Sequence, residues 1–129
     1  MRFPECNNFV KNVKYIPIDK EILYGFIRSY SKEEIDYMLT IADEGAREKI
    51  KYILAVSVDS VMRRIKTSFF KGELEEQINN LSFNEADYLI KNPDLLFFDK
   101  DHITALLKKR RDDLLGQADA KIVPFKRER

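Results

Sequence analysis

Scarcity shapes this chain of 129 residues, which has one cysteine, one histidine and four glycines. Cys6 has no second cysteine with which to form an internal disulfide or a zinc pair, and no histidine nearby in sequence to activate it as a nucleophile. His102, as the sole histidine, removes most metal sites and the common acid–base dyads. Beside Asp99 and Asp101 it reads as an ordinary surface or capping residue, or as a pH-sensitive cap. The glycines are too scattered for a phosphate-cradling loop. Long apolar runs are missing too: Tyr52 to Met62 is cut by Ser57, Asp59 and Ser60, well short of the roughly 18 residues that mark a membrane span. The N-terminus lacks the basic start, apolar run and small-residue cleavage site of a signal peptide. A soluble intracellular protein is expected, in the cytoplasm or, in a eukaryote, the nucleus.

What is present fits one globular domain. Hydrophobic residues make up 44% of the chain, enough for a core without metal or disulfide staples. Charged residues make up 35% with a net charge of only +1, so both signs are interleaved over the surface. That balance favours solubility and protein contacts over wholesale nucleic-acid binding.

Helical periodicity dominates the pattern. From Ala46 to Phe70 an apolar stripe recurs at Ile50, Leu54, Val58, Val61, Ile65 and Phe69, while Arg47, Lys51, Asp59, Arg63, Lys66 and Ser68 fall largely outside it. A helix of this length acts as a spine, ending near Lys71 and Gly72. Gly45 either breaks or kinks the chain before the spine, the reading we favour, or is tolerated inside a longer helix. Asp19 can cap a helix carrying Ile22, Leu23, Phe26 and Ile27, and Ser31 with Glu34 forms a capping box that opens another, burying Ile35, Met38 and Leu39. Glu73 to Asn79 offers a short helix. Ser82 with Glu85 is a second capping box, opening a helix that Asn92 and Pro93 terminate.

Both ends are harder to assign. Residues 1–18, with Pro4, Asn7, Asn8 and Pro17, read as an irregular or extended arm, Val13 to Ile18 having the alternation of a short strand. After the helical domain of residues 19–98, the segment 99–129 is either a helix through Ile103, Leu106, Leu107, Arg110 and Leu114 that ends at Gly116, or a set of short strands at Leu95–Phe98, Ile103–Leu107 and Lys121–Phe125. Local propensity favours the helix for residues 101–115. The fold class expected is mainly α around one long amphipathic helix, with a core of Ile27, Ile35, Leu39, Ile50, Leu54, Val58, Val61, Ile65, Leu89 and Leu106.

Few residues point to chemistry. The carboxylate pairs Glu33–Glu34, Glu75–Glu76 and Asp112–Asp113 are adjacent, so on a helix they do not converge, and no apolar pocket flanks them to raise a pKa. No enzymatic activity, cofactor or metal is expected. Two basic clusters remain, Arg63, Arg64 and Lys66 at the end of the spine, and Lys108, Lys109, Arg110 and Arg111, with Lys126, Arg127 and Arg129 in the tail. Such clusters either contact nucleic-acid phosphates without reading sequence or offset the negative end of a helix. Phe69–Phe70 and Phe97–Phe98 are adjacent aromatics that cannot both face one core on a helix end. One of each pair is a candidate for a partner interface, the alternative being a loop folded back over its own core.

One longer pattern stands out. The run from Glu48 to Lys66, with Arg63, Arg64, Ile65 and Lys66, then Phe69 and Phe70, a charged spacer, and Leu81, Ser82 and Glu85, resembles the helical domain of GINS subunits. The resemblance covers about residues 46–92. The C-terminal stretches at Thr104–Lys109 and Ala118–Phe125 are similar to the small β-domain that follows in one GINS type. The resemblance implies a non-catalytic subunit of a hetero- or homotetrameric ring that bridges the replicative MCM helicase to a RecJ-like partner. Expected partners are therefore replicative helicase components or other GINS-type subunits, in an oligomer and without a membrane. The rival expectation is a small helical nucleic-acid-binding or regulatory protein, viral or plasmid-borne, acting through the two basic clusters.

Overall fold

The computed structural model describes residues 3–122, with side chains described through Gly116. The helices in order are α1 (Phe3–Asn12), α2 (Lys20–Ser29), α3 (Lys32–Ile41), α4 (Glu44–Lys71), α5 (Leu74–Asn79), α6 (Phe83–Lys91) and α7 (Lys100–Ile122), with one 3-10 turn at Pro93–Leu95. The fold is mainly α, and no strand lies among the described residues. The strand alternative at Leu95–Phe98 and Ile103–Leu107 is thereby corrected. Leucine, lysine and arginine lose little side-chain freedom in a helix and carry α7 straight past Gly116. Val123–Phe125 and the basic tail residues Lys126, Arg127 and Arg129 lie outside the described residues.

The helix starts follow local chemistry. Asp19 accepts the Ile22 N–H at 2.9 Å, and both capping boxes close, Ser31 with Glu34 and Ser82 with Glu85. Each such cap stabilises its helix by about 1 kcal/mol. The break before the spine falls at Ala42 and Asp43, not at Gly45. Asp43 Oδ1 accepts the Ala46 N–H at 2.9 Å and starts α4, leaving Gly45 inside the first turn. At the other end Gly72 adopts φ 74°, which lets Gly72 N–H reach the Phe69 carbonyl and Glu73 N–H reach the Ser68 carbonyl at 2.8 Å. This closing motif needs a left-handed residue, a conformation that costs any side chain with a Cβ.

The N-terminal arm is also corrected, because Phe3–Asn12 is a helix. Pro4 sits in its first turn, where the missing N–H removes no helical bond. Asn7 and Asn8, which read as loop formers, are satisfied elsewhere: Asn7 Oδ1 accepts the Tyr37 hydroxyl at 2.8 Å, and Asn12 Nδ2 donates to the Asn8 carbonyl. α1 packs on α3 and adds Cys6 and Val10 to the core, with Val13 following in the turn after it.

At 28 residues α4 is about 42 Å long. α2, α3 and α5 pack directly against it, while α6 bridges α2, α3 and α7. The buried face of α4 is Ala46, Ile50, Ile53, Ser57, Val61 and Ile65. Leu54 and Val58 are only half-buried, so the expected stripe is rotated toward Ile53 and Ser57. Apolar counting skips serine, yet the Ser57 hydroxyl is fully buried and paired with α2, accepting the Ile27 N–H at 3.1 Å and donating to the Tyr24 carbonyl at 3.3 Å. Of the other expected core residues, Ile27, Ile35, Ile50, Val61, Ile65 and Leu89 are buried, whereas Leu39 and Leu106 sit half-buried at its edge.

Candidate functional site

The two phenylalanine pairs, far apart in sequence, meet in space. Phe69 at the end of α4 packs edge-on against Phe98 with ring centroids 5.3 Å apart. Phe70 and Phe97 flank them, each 5.5 Å from its sequence neighbour, to give a ridge in the order Phe70, Phe69, Phe98, Phe97. The inner rings are half-buried, while Phe70 is 74% and Phe97 75% exposed. One aromatic of each pair therefore covers the core and the other faces outward.

Phe97 also forms one wall of an apolar groove of about 530 Å³. Leu54, Val58 and Met62 of α4 line it at spacings of four residues, opposite Tyr88 and Leu95. Leu54 and Val58 are the members of the expected stripe displaced from the buried face, and with Met62 they give α4 a second apolar flank beside its core face. Lys51, Asp59 and Asp94 supply charges of both signs around the groove. Burial pushes the Tyr88 phenol above its ordinary pKa, so it remains a neutral hydroxyl through physiological pH. Groove residues on α6 and the Pro93 turn escaped sequence reading, because only the tertiary fold sets them beside α4.

The basic clusters have a different fate. Arg64 Nη2 donates to Glu85 Oε2 at 3.2 Å, and Arg28 Nη1 of α2 approaches Glu85 Oε1 at 3.4 Å. Arg110 Nε donates to the Leu81 carbonyl at 3.0 Å, and Arg111 Nη1 to Asp87 Oδ1 at 3.2 Å. Arg63 pairs with Asp59 one turn back at 2.8 Å. Lys66, Lys108 and Lys109 remain exposed. Arg64, Arg110 and Arg111 thus each have a partner elsewhere in the fold, and Arg63 one within α4.

α6 is the hub of this electrostatic lacing. Its Glu85 and Asp87 are both buried, and each is met by two cations, Asp87 by Arg111 and by Lys91 at 2.7 Å. Lys91 also reaches Glu33 of α3 at 2.6 Å. Its hydrogen bonds to Asp87 and then Glu33 hold the Lys91 ammonium above the ordinary lysine pKa. Glu85 was legible only as a capping residue. The signal for Asp87 was the Asp87–Lys91 spacing of one helical turn.

No three histidine, cysteine, aspartate or glutamate side chains come together as metal ligands among the described residues. None of the described helices is long and apolar enough to cross a membrane. The chain matches no protein-family model, no curated protein and no solved structure.

Proposed function

We propose that this chain is a non-catalytic interaction scaffold, a GINS-like subunit that joins components of a replicative DNA helicase assembly. The observation that carries the scaffold reading is the apolar groove along α4, continued by Phe97 and, through the aromatic ridge, by Phe70. Aromatic side chains exposed beside a groove are the anchors that protein interfaces favour. Leu54, Val58 and Met62 recur once per turn, matching the apolar face of a helix laid along the groove, with charges of both signs at its edge from Lys51, from Asp94 and from Asp59, which pairs with Arg63. The proposed occupant is a helix from another subunit of the same assembly. The GINS assignment itself rests on the resemblance over residues 46–92, and the nucleic-acid alternative has less support from Arg110 and Arg111, which are taken up by the Leu81 carbonyl and Asp87.

Size-exclusion chromatography with light scattering, on the pure chain and then with helicase components of its host, tests the reading. The expected result is a defined oligomer or complex that Phe97→Ser weakens. A monomer at high concentration that ignores helicase components overturns it.

A further inference from the structure

A second cleft, of about 520 Å³, opens between α2 and α4 on another flank of the spine. Lys20, Tyr24 and Arg28 line it from α2, Ser60 and Arg64 from α4, and Glu85 of α6 lies among them. Glu85 is 1% exposed, yet the Arg28 and Arg64 side chains that meet it are 55% and 42% exposed. One guanidinium suffices to neutralise one carboxylate. A second, drawn from a different helix, leaves a surplus positive charge at the surface. Among the lining residues Lys20, Arg28 and Arg64 outnumber Glu21 and Glu85.

The donors are held in advance. Arg28 directs Nη1 at 3.4 Å and Arg64 directs Nη2 at 3.2 Å to the two oxygens of Glu85, a carboxylate that also accepts the Ser82 N–H at 2.9 Å. Each guanidinium has five N–H donors, so those not aimed at Glu85 remain for a ligand. Guanidiniums fixed by a buried carboxylate lose less freedom on binding than free surface arginines do. Two forks approaching from separate helices, with the Ser60 hydroxyl and the Lys20 ammonium beside them, suit a tetrahedral oxyanion better than a planar one. Gly25 leaves room in the wall, since a Cβ there would meet nothing within 4 Å.

We infer that this cleft is a binding site for a phosphate group, gripped by Arg28 and Arg64 and assisted by Ser60 and Lys20. The group belongs either to a small phosphorylated compound or to a nucleic-acid backbone. The site is independent of the scaffold reading, because it shares none of the groove's lining residues.

The experiment is a titration of the full chain with inorganic phosphate at constant ionic strength, followed by the ¹H–¹⁵N signals of arginine Nε and backbone amides, with chloride as control. Saturable shifts centred on Arg28, Arg64 and Ser60 are expected. Arg28→Gln, which leaves Arg64 to cover Glu85, weakens binding roughly tenfold, the value of one charge-assisted hydrogen bond. Lys20→Gln, at an exposed position that holds no buried partner, weakens it in the same direction. A short oligothymidylate then separates the sources: binding that phosphate displaces and Arg28→Gln weakens assigns the site to a backbone phosphodiester. Phosphate binding without oligonucleotide binding assigns it to a small phosphorylated compound. Shifts that do not saturate, that chloride reproduces, or that survive both substitutions overturn the inference.

Discussion

Ser57 Oγ, wholly buried at the middle of α4, accepts the backbone N–H of Ile27 on α2 at 3.1 Å and donates its own hydrogen bond to the Tyr24 carbonyl at 3.3 Å. A serine at this crossing keeps the two helices close and satisfies its own polarity. Ser57→Ala removes both bonds and is expected to cost about 1–2 kcal/mol. Ser57→Leu fills a position with no spare room and is expected to cost more, through overpacking of the α2–α4 contact. Urea unfolding of the two variants checks the order; a Leu variant as stable as wild type rules out close packing there.

The Glu85 cluster predicts an asymmetry. Removing both Arg28 and Arg64 strands a buried carboxylate, so Arg28→Gln/Arg64→Gln is expected to destabilise by about 3 kcal/mol. Glu85→Gln keeps an acceptor for the Ser82 N–H, and the two half-exposed arginines turn to water, so its cost is expected near 1 kcal/mol. A larger loss from Glu85→Gln than from the double arginine variant contradicts the cluster as described.

The aromatic ridge separates core from surface by a similar contrast. Phe97→Ser removes an exposed ring and is expected to change stability by less than about 0.5 kcal/mol. Phe98→Ala removes a half-buried ring packed on Phe69 and is expected to cost about 2 kcal/mol, below the range for a fully buried phenylalanine. Thermal unfolding of the pair of variants decides it: equal losses mean that both rings belong to the core.

These contrasts also explain what was legible beforehand. The capping boxes at Ser31–Glu34 and Ser82–Glu85 could be read because donor and acceptor lie three residues apart, and local spacing is all they need. α1 was misread because Asn7 is satisfied by Tyr37, 30 residues away. Likewise, Ser57 looks polar until α2 is laid across it. Phe69 and Phe70 diverge because they are adjacent on a helix, whereas Phe97 and Phe98 lie in the loop before α7, and the joining of the pairs into one ridge depends on how the chain returns after α6. In the basic clusters, the pairing of Arg64, Arg110 and Arg111 with Glu85, the Leu81 carbonyl and Asp87 depends on tertiary packing, which local spacing does not encode.

Asp43 ties the turn after α1 to the start of α4, capping Ala46 and pairing with Lys14 at 2.7 Å. The Lys14 hydrogen bond, then that from Ala46, holds the Asp43 carboxyl below its ordinary pKa, and the same Asp43 bond holds Lys14 above its own. A depressed carboxyl contributes in full above its unfolded pKa and is lost as pH falls through the folded one. A raised ammonium contributes in full below its unfolded pKa and is lost as pH rises through the folded one. The stability difference between wild type and Asp43→Asn, which keeps the cap, is therefore expected to be flat through neutrality and to shrink below about pH 4 and above about pH 10. Both groups are exposed, so the difference is also expected to fall in high salt. Melting temperatures of the two proteins across pH test this, and a difference that grows toward acid reverses the sign and defeats it.

Gly25 and Gly72 predict opposite responses to the same substitution. Gly25 lies inside α2 with open space around its Cα, so Gly25→Ala is expected to stabilise by about 1 kcal/mol, the helical preference for alanine. Gly72 also has open space, but its φ of 74° is what lets the chain turn out of α4. Gly72→Ala places a Cβ in the left-handed region and is expected to destabilise by about 1 kcal/mol. Because neither methyl meets a neighbour, the difference between the two isolates backbone conformation from packing. Denaturant midpoints that move the same way for both substitutions place the Gly72 turn, and with it the end of the spine from which Phe69 and Phe70 project, in a different conformation.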